Sequence, residues 1–413
     1  MPKAQVNART LVPLVVMAVL VALLPAQLAQ ADDDLASEGT QELCSLFEGQ
    51  VFADVGEDNP FSFWITCIAA YGVAGGFTDG TYRSGQDVSR DQMSTFVVNA
   101  VEAMTGENLD DSDAGFDDVD ADNPHRDAIN KLANAQIVDG FDDDTFRPRN
   151  DVRRDQMAKF IVGGIEHVIE GEMDGDGEAF SDVDEESPFF DDIDKLATAG
   201  IVDGFDDDTY RPREDVNRGQ MAKFVGESMG HAHEEGHFPR RTYDVALSWV
   251  NVVDDGDGAP VFAQGEQDAE AASQVLVDAA LDCVIHVIDH SGVTGPFGGA
   301  DGFVLHEGAI EETGPALLTL ATGEDLDDAE GELQLVVCDD ADVSLYEVLD
   351  DPEGYYVQLH SDEHPDGAVR GQLPDGGQSG LPDEFQDEDD EDDEDDGDDD
   401  DDGLLPIIPI PLI

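Results

Sequence analysis

Basic residues are scarce: 19 Lys and Arg stand against 98 Asp and Glu, for a formal net charge of −79. Phosphate backbones want cationic faces, so nucleic-acid binding is disfavoured. Cysteine is scarce too, with four in 413 residues. No two are spaced Cys-x-x-Cys, so a compact zinc site is not expected. Four cysteines fit an oxidising compartment and allow three connectivities. Domain logic favours Cys44–Cys67 and Cys283–Cys338. Long apolar runs are missing. The stretch Leu11–Leu24 is too short for a comfortable bilayer span. With Lys3 and Arg9 before it and Ala29-Gln30-Ala31 after it, residues 1–31 read as a secretory signal peptide, an uncleaved anchor being the rival reading. A mature chain from Asp32 would have no transmembrane span. Nucleophile elbows, phosphate loops and zinc-protease motifs are absent, which removes the common hydrolase and nucleotide-binding classes. No Leu-Pro-x-Thr-Gly sorting signal is present.

What the chain does have is self-similarity at a fixed step of 64 residues. The step links Phe52, Phe116 and Phe180, each opening a Phe-x-Asp-Val element. It links the pairs Gly76-Phe77, Gly140-Phe141 and Gly204-Phe205. It also links Arg90, Arg154 and Arg218, and then Met93, Met157 and Met221. Such repeats are single supersecondary units that bury their apolar faces on their neighbours.

The second copy shows the unit most clearly. Asn123-Pro124 suits a helix start, and Ile129, Leu132, Ala133 and Ile137 keep helical spacing. Gly140 closes that helix. Asp142–Pro148 is rich in turn formers. Gln156, Met157, Phe160 and Ile161 then begin a second helix reaching about Ile169. Each unit is therefore expected to be helix, ordered loop, helix.

The ordered motifs Phe-x-Asp-Val, Gly-Phe-x-Asp-x-Thr-Phe/Tyr-Arg-Pro and Arg-Asp-Gln-Met-Ala-Lys-Phe resemble the S-layer homology repeat. The resemblance covers copies at 50–109, 114–173 and 178–230. It implies an all-α, pseudo-threefold trimer on bacterial surfaces. Such a trimer grips a secondary cell-wall polysaccharide non-covalently in grooves between its prongs. Family ligands are often acidic pyruvate-ketal sugars, so an anionic glycan is the expected partner. Arg90, Arg154 and Arg218 match the family's Thr-Arg-Ala-Glu arginine and are the implied carboxylate donors. Asp54, Asp118 and Asp182 and the glycines Gly76, Gly140 and Gly204 also match, and are implied glycan contacts. For the aspartates, turn capping is the competing reading. Charge placement agrees independently: fourteen of the 19 basic residues lie between Arg83 and Lys223. Guanidinium forks match carboxylates bidentately. The family motif reads Ser89-Arg90-Asp91-Gln92, Arg153-Arg154-Asp155-Gln156 and Asn217-Arg218-Gly219-Gln220 here. Ser89 and Asn217 can cap a helix; Arg153 cannot, which puts Asp151 forward as an alternative cap. Trp64 in the irregular first copy could stack on a sugar, but a core position suits it better.

Residues 231–243 form a His-rich stretch expected to link two halves. From Thr242 the texture changes to short Val-, Leu- and Tyr-rich runs between turns. These predict an antiparallel all-β sandwich or barrel over 244–374. Tyr356-Val357-Gln358-Leu359-His360-Ser361, followed by Pro365-Asp366-Gly367-Ala368-Val369-Arg370-Gly371-Gln372-Leu373, resembles the closing motif of the CHRD domain. That family implies an extracellular β module. Whole-chain fold class is then multidomain α + β. His286, His290, His306, His360 and His364 could supply metal ligands on such a scaffold, and His231, His233 and His237 could do so in the linker. The linker set fits no standard spacing, and the β-domain set keeps only part of the paired histidines that the CHRD resemblance implies, with loop ordering the competing reading of His306 and His360, so no metal or cofactor is assigned. Calcium in the acidic loops Asp174–Glu178 or Asp254–Gly258 is the one candidate, and neither completes an EF-hand. Residues 375–403 form an acidic tail expected to be disordered. Residues 404–413 are an apolar, proline-rich end.

The expected function is non-enzymatic: a secreted protein of the cell wall surface, held by wall polysaccharide and displaying the β module. Its acidity suggests a halophilic setting, where salt screens self-repulsion. The alternatives are a surface metal-binding protein or metalloenzyme using the β-domain histidines, and an adhesin binding another protein.

Overall fold

The computed structural model describes residues 36–377 except 46, 48–49, 57, 178–179, 206, 249–268, 298–301, 310–313, 330–331, 339–343 and 366. The expected signal peptide, the acidic tail beyond 377, the apolar end and the Asp254–Gly258 loop lie outside these residues.

The order of elements is helices first, then strands. A short helix α1 (Glu38–Cys44) precedes three helix pairs in tandem. The first helix of each pair is α2 (Ser62–Ala70), α4 (Arg126–Asn134) or α6 (Phe190–Thr198); the second is α3 (Arg90–Thr105), α5 (Arg154–Val168) or α7 (Arg218–Glu234). A Met-x-x-Phe ridge buries each long helix: Met93, Met157 and Met221 are all 0% exposed. Capping follows from the motif. Gln92, Gln156 and Gln220 each accept the N–H of the residue three positions earlier, at 3.4, 3.3 and 3.2 Å. Arg153 is the N-cap residue of α5, and Asp151 instead pairs its backbone with Ser89.

The three units close on one another in a ring. Val152 N donates to Val88 O, Val216 N to Val152 O, and Val88 N to Val216 O, each at 2.9 Å. The three valines are fully buried. The start of each long helix also donates to the next unit's loop: Arg90 N to Asn150 O, Arg154 N to Glu214 O, Arg218 N to Gln86 O. Those N–H groups have no partner within their own helix. The first unit thus takes the same place in the ring as the other two.

Eight strands form one antiparallel sheet in the order β5-β4-β7-β8-β1-β2-β3-β6. They are β1 (Arg240–Ser248), β2 (Glu270–Asp278), β3 (Cys283–Asp289), β4 (Phe303–Glu307), β5 (Ala316–Ala321), β6 (Glu332–Cys338), β7 (Tyr355–Leu359) and β8 (Val369–Gln372). The sheet curls into a nearly closed barrel. Val275, Val284, Phe303, Leu305, Val357 and Val369 fill its interior. Two short helices, α8 (Gly323–Asp328) and α9 (Leu345–Asp350), flank β6.

The His-rich stretch is where expectation and structure part. Residues 231–234 complete α7 and residues 240–243 begin β1, leaving 235–239 to join them. His233 is 0% exposed. The outer face of β2 and β3, through Leu276, Ile285 and Val287, belongs to the same apolar cluster as the helices. Tyr71 Oη donates to Asp278 Oδ2 at 2.9 Å, and Arg240 Nη1 donates to Leu43 O at 3.0 Å. Burial and the Asp278 carboxylate raise the Tyr71 phenol well above its ordinary value, and burial raises Asp278. A packed joint therefore takes the place of a linker, because the apolar side chains around the histidines have somewhere to be buried.

Candidate functional site

Each repeat's Phe-x-Asp-Val aspartate clamps a loop. Asp54 accepts from Tyr82 N and Arg83 N, both at 2.7 Å. Asp118 accepts from Phe146 N and Arg147 N at 2.7 and 2.8 Å, and Asp182 from Tyr210 N and Arg211 N at the same distances. These bonds hold Arg83, Arg147 and Arg211 at φ 60, 58 and 58°, a left-handed conformation that a non-glycine residue rarely adopts unaided. Their guanidinium groups lie over Phe77, Phe141 and Phe205 at 3.8, 3.7 and 3.7 Å. Gly76, Gly140 and Gly204 are explained by closeness. A Cβ there would meet the Phe52, Phe116 or Phe180 ring at 2.4, 2.3 or 2.5 Å.

The helix-start arginines reach across the ring. Arg90 Nε donates to Phe146 O at 2.9 Å, Arg154 Nε to Tyr210 O at 2.7 Å, and Arg218 Nε to Tyr82 O at 2.7 Å. All three residues are 5% exposed. Each guanidinium lies among three aromatic rings. For Arg90 these are Phe146, Phe141 and Phe160, at 4.7, 5.0 and 5.3 Å. Among the described residues, no ion pair joins any of the three to a carboxylate, although the chain is strongly acidic. Burial pushes Arg90 down to about 10, with Arg147 adding to the effect, and burial likewise lowers Arg154 and Arg218.

The Arg90 guanidinium lines a cavity of 140 Å³ with Asp139, Phe141, Lys159, Phe160 and Phe189. Beside it, between the second and third units, runs an open groove of 910 Å³ that includes Asp182, Arg153, Arg211 and Arg213. Its counterpart between the third and first units, 310 Å³, includes Asp54, Pro60, Ser84 and Asn217. Of the predicted arginines and aspartates, Arg90 lines the small cavity, Asp182 the larger groove and Asp54 its counterpart. Sequence reasoning passed over Lys159 and Phe189, whose recurrence as Lys223 and Phe61 was a usable signal.

Residues 115–158 and 179–222 match the S-layer homology domain, and residues 256–373 match the CHRD domain. The chain carries S-layer homology repeats and a CHRD domain. Over 162 residues, 38% of this chain, it is 25% identical to Cell surface glycoprotein 1 of Acetivibrio thermocellus. Over 215 residues, 52% of this chain, it is 30% identical to the Surface-layer 125 kDa protein of Lysinibacillus sphaericus. It spans 7% and 16% of the lengths of those two proteins.

Both predicted disulfides are present: Cys44–Cys67 and Cys283–Cys338. Trp64 is a core residue, 4% exposed, donating Nε1 to Glu227 Oε1 at 2.6 Å. In the CHRD domain the histidines are dispersed. His286 faces the barrel interior and donates Nε2 to Leu320 O at 3.0 Å, while His290 packs on Phe297. His306 stacks on Tyr356 with His360 nearby, ring centroids 6.0 Å apart. Arg370 lies over the Tyr356 ring at 3.3 Å. Among the described residues no three His, Cys, Asp or Glu side chains are placed to hold a metal ion.

Proposed function

We propose that this cell-surface protein binds an anionic cell-wall polysaccharide through its S-layer homology trimer and displays the CHRD domain. Residues 50–109 act as a third S-layer homology repeat in this reading, supported by their place in the hydrogen-bonded ring. The carrying observation is the set of buried arginines held by aromatic rings and backbone carbonyls, with no direct ion pair to a carboxylate among the described residues. The carboxylates that act on them, Asp118 on Arg90, Glu214 and Asp182 on Arg154 and Asp54 on Arg218, make no direct ion pair, and a buried charge without a directly bonded counter-ion is costly. A ligand carboxylate arriving at the groove would supply the counter-ion with bidentate geometry. Several such sites on one rigid body raise retention through effective concentration. The role is binding and display, with no chemical step.

The test is co-sedimentation of the intact purified protein with isolated cell walls. Arg90→Ala/Arg154→Ala should weaken binding at least tenfold, since each charge-assisted contact contributes roughly 1.5–3 kcal/mol. Arg90→Lys/Arg154→Lys controls for the buried charge. Undiminished binding by a folded Ala variant would overturn the assignment.

A further inference from the structure

The three arginine sites are not alike. At the first, Arg90 is accompanied by Lys159 and Phe189 around the same cavity, with Lys159 Nζ 3.5 Å from the exposed Asp139 Oδ2 that also lines it. The positions 64 residues on give the second site Arg154, Lys223 and, from the first unit, Phe61. Lys223 Nζ lies 5.0 Å from the Trp64 ring centroid, and Phe61 packs against Gly219 at the start of α7.

The third site breaks this pattern twice. Thr95 stands where the others have lysine, and His125 stands where they have phenylalanine. Thr95 Oγ1 and His125 Nδ1 are hydrogen-bonded to each other at 2.7 Å, so these polar groups are turned inward on themselves. The arginine differs as well. Arg218 Nη2 donates to Gly75 O at 3.1 Å, in addition to its Nε bond to Tyr82 O. Among the described residues, Arg90 and Arg154 make only the Nε bond to a carbonyl. Two backbone acceptors therefore occupy the third guanidinium, and no lysine joins it.

We infer that the trimer has two anion-binding sites, at Arg90–Lys159 and Arg154–Lys223, and that Arg218 is a structural lock closing the ring between the third and first units. This rests on the glycan-binding reading above and narrows it. A site with a second cation, whose guanidinium has given only Nε to a carbonyl, attracts a sugar carboxylate more strongly than one whose guanidinium has given both Nε and Nη2.

Titration calorimetry of the intact protein with a methyl glycoside bearing one pyruvate ketal tests this, because the probe carries a single carboxylate. The expected stoichiometry is two. Lys159→Ala, an exposed change, and Lys223→Ala, a half-buried one beside Trp64, should each weaken one equivalent roughly tenfold. Thr95→Ala should change nothing. Three equivalents, or a loss in Thr95→Ala matching that in the lysine variants, would overturn the two-site inference while leaving glycan binding intact. Absence of any binding would overturn the glycan-binding reading, and this inference with it.

Discussion

At the scale of single residues, the repeated polar positions divide into those that hold a loop and those that face a groove. Asp118 shows the difficulty of telling them apart by sequence. Its motif matches a glycan-binding family, yet both carboxylate oxygens are taken by backbone N–H groups. Gly140 is legible only once Phe116 is seen against it. Gly140→Ala should therefore cost more than about 2 kcal/mol, the range of overpacking and strain. Urea denaturation would read that loss, and an unchanged midpoint would contradict the packing account. His286 makes a pH prediction. Burial lowers it from 6.5 to about 4, so the folded state favours the neutral ring. Its stabilising contribution is complete above about pH 6.5 and is lost as pH falls toward 4, a loss on the order of 3 kcal/mol. His286→Asn should show a smaller drop in melting temperature between pH 7 and pH 4.5 than the wild type. Equal drops would show that this ring does not titrate on unfolding.

At the scale of elements, helix positions were legible because apolar spacing and caps agree, and the strands because short Val-rich runs sit between turns. The joint was not legible. His-rich composition suggests a tether, but residues 231–234 extend α7 and its contacts come from α1, far away in sequence. Glu227 at 3% exposure accepts from Thr40 Oγ1 at 2.9 Å, Ser37 N at 3.1 Å and Trp64 Nε1 at 2.6 Å. No local pattern announces so distant a hub. Glu227→Ala leaves those donors buried without an acceptor. Hydrogen exchange of residues 36–44 should accelerate in that variant, and unchanged protection would show that the docking of α1 rests on its other contacts, such as Gly39 N to Glu234 Oε1 and Arg240 Nη1 to Leu43 O. In the barrel, Cys283 and Cys338 lie directly opposite each other on β3 and β6. Their bond closes a 55-residue separation, so replacing both by Ser should cost about 4 kcal/mol by loop entropy. A loss below about 1 kcal/mol in denaturant titration would contradict that.

At the scale of the whole molecule, charge and assembly set the behaviour. With −79 formal charges, repulsion opposes compaction unless salt screens it, and at about 1 M the screening length is only about 3 Å. Melting temperature should rise with sodium chloride well beyond the physiological range; a flat response would remove the argument for a salty habitat. The 64-residue register made the tandem units legible, and the ring of Val88, Val152 and Val216 explains why they must occur together. Sequence could not reveal that the CHRD domain packs on this ring, since that needs Leu276 and Ile285 on the barrel's outer face to meet Tyr71 and Phe238. The central claim is that buried guanidinium groups recognise carboxylates on a wall glycan. It is tested most directly on the ligand side, by measuring binding of the intact protein to purified wall polysaccharide before and after carbodiimide–borohydride reduction of its carboxyl groups. Binding that disappears after reduction is the predicted result. Binding of equal strength to the reduced polymer would contradict carboxylate recognition.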